Sequence, residues 1–143
     1  MNLRGINLIK RVSEAISFQR REVYYFDTPR QIGKSTVSAI LSNMDVLVFA
    51  VNQVSASHLC KLGAKRENVF VDMCCFETKG VNLSKATAII FDEGFHREDL
   101  EYDILSLRSL GYKGPIIVLG TSREMEMICH ELRGEKPGIA IGH

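Results

Sequence analysis

Neither sign of charge dominates this sequence. Its 18 Lys and Arg stand against 17 Asp and Glu, a formal net charge of +1, so no global field draws in a polyanion and any nucleic-acid contact has to come from a local patch. No apolar run approaches the ~20 residues that a membrane span requires. The opening Met1-Asn2-Leu3-Arg4-Gly5 leads into an amphipathic segment rather than the apolar core of a signal peptide, so a cytosolic protein is expected. Cysteine is sparse and unpatterned: Cys60, Cys74, Cys75 and Cys129 show no C-x-x-C spacing, which excludes the usual zinc site and the secreted disulfide scaffold and leaves reduced thiols. Cys74 and Cys75 are adjacent, and in a strand they would point to opposite faces, so burial of one is expected. His58, His96, His130 and His143 lack ligand spacing and are read as surface or packing residues. Repeats, low-complexity tracts and Pro/Ser-rich linkers are missing as well, and 143 residues then point to one continuous domain.

Apolar residues make up 45 % of the chain and charged residues 24 %, enough to bury a core. Leu3, Ile6, Ile9, Val12 and Ile16 recur at helical spacing and predict an amphipathic helix within residues 1–19. From residue 23 to 143 the pattern predicts an α/β core. Strand-like runs lie at Val23–Phe26, Val46–Val51, Val69–Met73, Ala88–Phe91 and Ile116–Leu119. They are nearly continuous in apolar character, as strands covered on both faces are. Helical stretches fall between them at Lys34–Leu41, Val54–Leu62, Glu98–Leu110 and Arg123–Leu132. The alternation predicts a three-layer α/β domain with a mainly parallel sheet of about five strands. Gly134 and Pro137 close the last helix before an edge-strand candidate at Ile139–Ile141.

The residues richest in chemistry are Thr28-Pro29-Arg30-Gln31-Ile32-Gly33-Lys34-Ser35-Thr36, between the first strand and the next helix. In a phosphate loop, consecutive backbone N–H groups at a helix N-terminus wrap phosphate oxygens, a Lys neutralises charge and a Ser or Thr hydroxyl completes a Mg²⁺ shell. Gly33, Lys34 and Ser35 meet the last three places of G-x-x-x-x-G-K-[ST], whereas Thr28 stands at the leading glycine. A plain helix start with a solvated lysine would leave the same trace. The expected counterpart comes later: Ala88-Ile89-Ile90-Phe91 ends in Asp92-Glu93, where the first acid suits a magnesium shell and the second can deprotonate water. Strands one and four would bring Ser35 and Asp92 together at the carboxyl edge of the sheet, where open α/β folds bind ligands.

Arg30-Gln31-x-Gly33-Lys34-Ser35 resembles the deviant Walker A of phage large-terminase ATPases, and Asp92-Glu93 is similar to their Walker B and catalytic carboxylate. Gly120-Thr121-Ser122 resembles the small-hydroxyl coupling motif after the next strand. The resemblance covers roughly residues 19 to 122. It implies a P-loop NTPase-like fold, ATP and Mg²⁺ as ligands, slow hydrolysis, a DNA or nucleoprotein partner, and residence in the cytoplasm of a bacterial host. By the same resemblance Arg30 would face the γ-phosphate and Glu93 would be the general base. The backbone from Arg30 through Gln31, Ile32 and Gly33 to Thr36 would cradle phosphates with Lys34. Ser35 and Asp92 would hold Mg²⁺, Thr121 would sense the γ-phosphate, and Gln19 would read adenine. The sequence lacks the nuclease domain of those proteins, so a minimal ATPase rather than a whole packaging motor is expected.

Two other classes remain. One is a nucleotide-binding interaction module without turnover. The other is a receiver-like signalling domain phosphorylated on Asp92, which the run from Asp92 to Thr121 suggests but which lacks the acidic pair expected where Val51-Asn52-Gln53 stands. Arg97, Arg108 and Arg123 are candidates to act across a homo-oligomer interface, beside the plainer role of solvated helix charges. Lys61, Lys65 and Arg66, and separately Arg20-Arg21, form basic clusters without interleaved aromatics.

Overall fold

The computed structural model describes residues 3–30 and 32–132. Within them α1 (Leu3–Ser17) precedes β1 (Val23–Asp27), α2 (Lys34–Leu41), β2 (Val46–Phe49), α3 (Gln53–Lys61) and β3 (Val69–Phe70). Then come α4 (Met73–Thr78), β4 (Ala88–Phe91), α5 (Leu100–Ser109), β5 (Ile116–Gly120) and α6 (Arg123–Leu132). The five strands form one sheet in the order β1-β5-β4-β2-β3, and every pairing is parallel. Gln31 and the edge-strand candidate Ile139–Ile141 lie outside the described residues.

Central strands β2, β4 and β5 are buried along their whole length, which explains why their sequences run apolar without alternation. Two hydrophobic clusters cover the two faces. Leu8 and Val12 of α1, Val37 and Leu41 of α2 and Leu59 of α3 pack on Val48, Ile90 and Ile117. Met73 and Phe76 of α4 and Leu107 of α5 pack on Phe49, Phe91 and Ile116 across the sheet. The three-layer α/β architecture is as the sequence predicts.

Several details differ. In α1 the buried positions are Gly5, Leu8, Val12 and Ala15, while Ile6 is exposed and Ile9 and Ile16 are half-buried. Small residues at 5 and 15 turn the packed stripe away from the isoleucines. The run Val69–Met73 yields only a two-residue strand because the Asp72 side chain accepts the Cys75 N–H at 2.7 Å and caps α4 there. Cys74 and Cys75 consequently sit on a helix, both exposed, rather than on opposite faces of a strand. Strands β1 and β4 are also not neighbours, since β5 lies between them.

Two arginines offered above as interface groups are committed inside the domain. Arg97 donates from Nε to Asp103 at 2.6 Å, from Nη1 to the Ala50 carbonyl at 3.0 Å and from Nη2 to the Val71 carbonyl at 2.7 Å. Its guanidinium also lies over the Phe49 and Phe91 rings, at 5.6 and 5.5 Å from their centroids. Arg108 donates to the carbonyls of Tyr112, Gly114 and Glu22.

Candidate functional site

The turn from β1 into α2 is built on backbone ties to β5. Thr28 N–H donates to the Gly120 carbonyl at 2.9 Å, and the Thr121 hydroxyl donates to the Thr28 carbonyl at 2.7 Å. Position 28 thus continues the β1–β5 ladder by one residue and is not among the positive-φ positions of the described chain, so its backbone makes no demand for glycine. Gly33 does meet such a demand: as N-cap of α2 it has φ 86° and ψ 29°, left-handed geometry that a side chain would strain. No acidic residue of its own occupies the first turn of α2; the carboxylates that approach this positive end of its peptide dipoles come from Asp92 and Glu93 after β4.

Lys34 is buried, 6 % exposed. Its ammonium donates to the Pro29 carbonyl at 3.2 Å and to the Thr121 hydroxyl at 3.0 Å, and it lies 3.8 Å from a Glu93 carboxylate oxygen. Ser35 and Ser38, one turn apart on α2, donate to the two oxygens of Asp92 at 3.2 and 3.0 Å. Helix α2 therefore carries Ser35 across to Asp92 although β5 separates the parent strands. Ile32 is buried in the core, so only its backbone can face a ligand, and Thr36 is half-buried.

Asp92 is 4 % exposed. Burial raises its pKa, Glu93 adds to the rise, and the hydroxyls of Ser38 and Ser35 and the Lys34 charge oppose it. A carboxyl whose folded pKa exceeds its unfolded value gives stability at acidic pH that is lost as pH rises through the folded value. Asp92→Asn removes that penalty and still offers an oxygen to Ser38. In a chelator, the variant's thermal midpoint at neutral pH is expected above that of the wild type, and the loss of stability from acidic to neutral pH is expected to flatten; scanning fluorimetry across pH checks both, and a lower midpoint would refute the assignment.

Glu93 adopts φ 57° and ψ 35°, a left-handed conformation that costs a non-glycine residue about 1–2 kcal/mol. The next residue accommodates it. A Cβ at Gly94 would stand 2.7 Å from Val118 Cγ1, so only glycine lets the turn Gly94–His96 seat on β5. His96 Nε2 lies 2.7 Å from the Thr121 carbonyl, which joins this turn to the same residue that Lys34 touches.

Arg30 is turned toward α6. Its Nε donates to Glu126 Oε1 at 3.1 Å and its Nη2 makes a second contact to the same oxygen. The pairing raises the Arg30 pKa and lowers that of Glu126. To meet a phosphate Arg30 has to leave Glu126. Gln19 precedes β1 and donates to the carbonyls of Ile16 and Thr87, at the amino edge of the sheet. A five-residue strand, roughly 16 Å long, separates it from the loop, so the structure does not bring Gln19 together with Lys34 and Asp92.

Lys34, Ser35, Asp92, Glu93 and Thr121 are thus assembled from three segments remote in sequence. Ser38, His96 and Glu126 were missed as members. Ser38 alone had a local signal, three residues after Ser35 and so on the same face of α2. Comparison of the chain with family models, with curated proteins and with solved structures gives no match.

Proposed function

We propose that this chain is a minimal P-loop-type domain of terminase-like ancestry that binds ATP with Mg²⁺ and hydrolyses it slowly, in association with DNA or a nucleoprotein. The observation that carries the reading is the convergence of a buried lysine, a hydroxyl paired with a buried carboxylate, and a second carboxylate at 3.8 Å from that lysine. The donor chemistry fits magnesium: Ser35 and Asp92 offer hard oxygens, and this ion keeps most of its shell for water and phosphate. When bound, the ion would neutralise charge on the terminal phosphates.

The chain's own groups divide the remaining work. The amides of Gly33–Thr36 and the Lys34 ammonium bind phosphate oxygens, and Glu93 takes a proton from a water aligned with the γ-phosphate. Thr121 lies between Lys34 and Thr28 and so registers where the lysine goes. A receiver-like role has less support, because Asn52 spends its side chain capping α3 through Ser55 N–H at 2.9 Å and the Asp92 oxygens are covered by two serines of α2.

Calorimetric titration with ATP tests the proposal. Wild type is expected to bind in the presence of Mg²⁺ and more weakly in chelator. Lys34→Ala is expected to bind about ten- to a hundred-fold more weakly, the value of a charge-assisted hydrogen bond. Absence of Mg²⁺-dependent binding in the wild type would overturn it, and binding without any turnover would mark a nucleotide-sensing interaction module instead.

A further inference from the structure

Helix α6 is lightly attached. None of its described side chains is buried, and Met127, Ile128 and Leu132 are 42, 48 and 82 % exposed, so apolar burial contributes little to its position. It is tied at its start, where the Asp27 carboxylate accepts the Ser122 N–H at 2.8 Å and the Ser122 hydroxyl at 2.5 Å. One turn on, Glu126 accepts from Nε and Nη2 of Arg30, a pair that joins the β1–α2 turn to α6.

This pair lies beside the turn that carries the acidic residues. After Glu126, whose hydrogen bond acts most strongly, Glu93 also raises the Arg30 pKa, and after Arg30, His96 also lowers that of Glu126. A terminal phosphate and the Glu126 carboxylate present the guanidinium with the same kind of acceptor, an anionic oxygen. Two such anions side by side on one arginine repel each other.

We propose that Glu126 is a positioning residue that holds Arg30 off the site until a triphosphate displaces it, so that ATP loosens α6 and ADP leaves it in place. The inference rests on the nucleotide reading and deepens it. Glu93 there faces the γ-phosphate, so Arg30 beside it reaches a group that ADP lacks. Glu126 therefore lowers affinity for ATP, because Arg30 has to give up its partner, and leaves affinity for ADP alone. The side chains of the pair are 67 and 27 % exposed, and exposed pairs have modest strength, about two- to fivefold in an equilibrium constant. One charge-assisted contact to phosphate is enough to displace such a pair.

Calorimetry of wild type and Glu126→Gln, with Mg²⁺ and either ADP or a non-hydrolysable ATP analogue, tests it beside hydrogen exchange of the α6 amides. Glu126→Gln is expected to bind the triphosphate about two- to fivefold more tightly and ADP as the wild type does. In an Arg30→Gln background the same substitution is expected to change neither affinity. Exchange in α6 is expected to rise when the wild type takes up the triphosphate, and to be high already in nucleotide-free Glu126→Gln. A rival role, in which Glu126 only steadies the first turn of α6, would raise exchange in the variant and move neither affinity. That result, an equal gain for ADP, a gain that persists without Arg30, or a wild-type α6 unmoved by the triphosphate would each overturn the inference and leave the nucleotide reading in place. A wild type that binds neither nucleotide would overturn both.

Discussion

On the proposed function, Glu93→Gln is expected to leave Mg²⁺-dependent ATP binding near the wild-type value and to cut hydrolysis by about 10²–10⁴-fold, the usual contribution of a positioned general base. The substitution keeps length and shape but removes the proton acceptor. Neither the Gly33 turn nor the Ser35–Asp92 contact is made by it: Glu93 meets the loop through its charge, 3.8 Å from Lys34 and felt by Arg30. Its left-handed backbone is held where Gly94 seats against β5, a strain of the kind that the proposed task would account for. Single-turnover phosphate release measured beside a binding titration separates the two effects. Equal turnover in variant and wild type would remove Glu93 from the mechanism, whereas a parallel loss of binding would make it a ligand-holding group.

Arg97→Met is expected to destabilise the fold by about 3–5 kcal/mol, the cost of leaving one member of a buried ion pair without its partner. The side chains of Arg97 and Asp103 are 11 % and 6 % exposed, so little water can take over. The carbonyls of Ala50 and Val71 lose their donor in the same step, and unmet buried acceptors add to the loss. A second variant isolates the charge: Arg97→Met with Asp103→Leu is expected to recover part of the loss, because an apolar pair avoids the uncompensated carboxylate. Urea unfolding of wild type, single and double variants decides it. A single variant within about 1 kcal/mol of wild type would show that the arginine is a surface charge after all.

The same arginine shows where reading the chain reaches its limit. Helices α2 and α6 fall on the residues that periodicity and punctuation predict, because their starts are marked locally, by Gly33-Lys34 and by Thr121-Ser122. The Ser122 hydroxyl takes the Met125 N–H at 3.1 Å. Arg97 has no such local sign. Its partners sit at 50, 71 and 103, and nothing in Gly94-Phe95-His96-Arg97 distinguishes a buried tie from a solvated charge. That Lys34 and Ser35 at the start of α2 would meet Asp92 and Glu93 after β4 was legible, because both segments leave the carboxyl edge of one parallel sheet. The engagement of Arg30 with Glu126 was not, since it depends on how α6 leaves β5. Likewise, α1 shows its isoleucines clearly, yet Gly5 and Ala15 choose the packed face, and small residues leave no hydrophobic mark.

The backbone tie at Thr28 decides which residues that position tolerates. Because Thr28 extends the β1–β5 ladder by one step, a β-branched residue is at home there, and left-handed geometry falls instead on Gly33 at the far end of the turn. A turn stitched in this way reaches the start of α2 without a leading glycine.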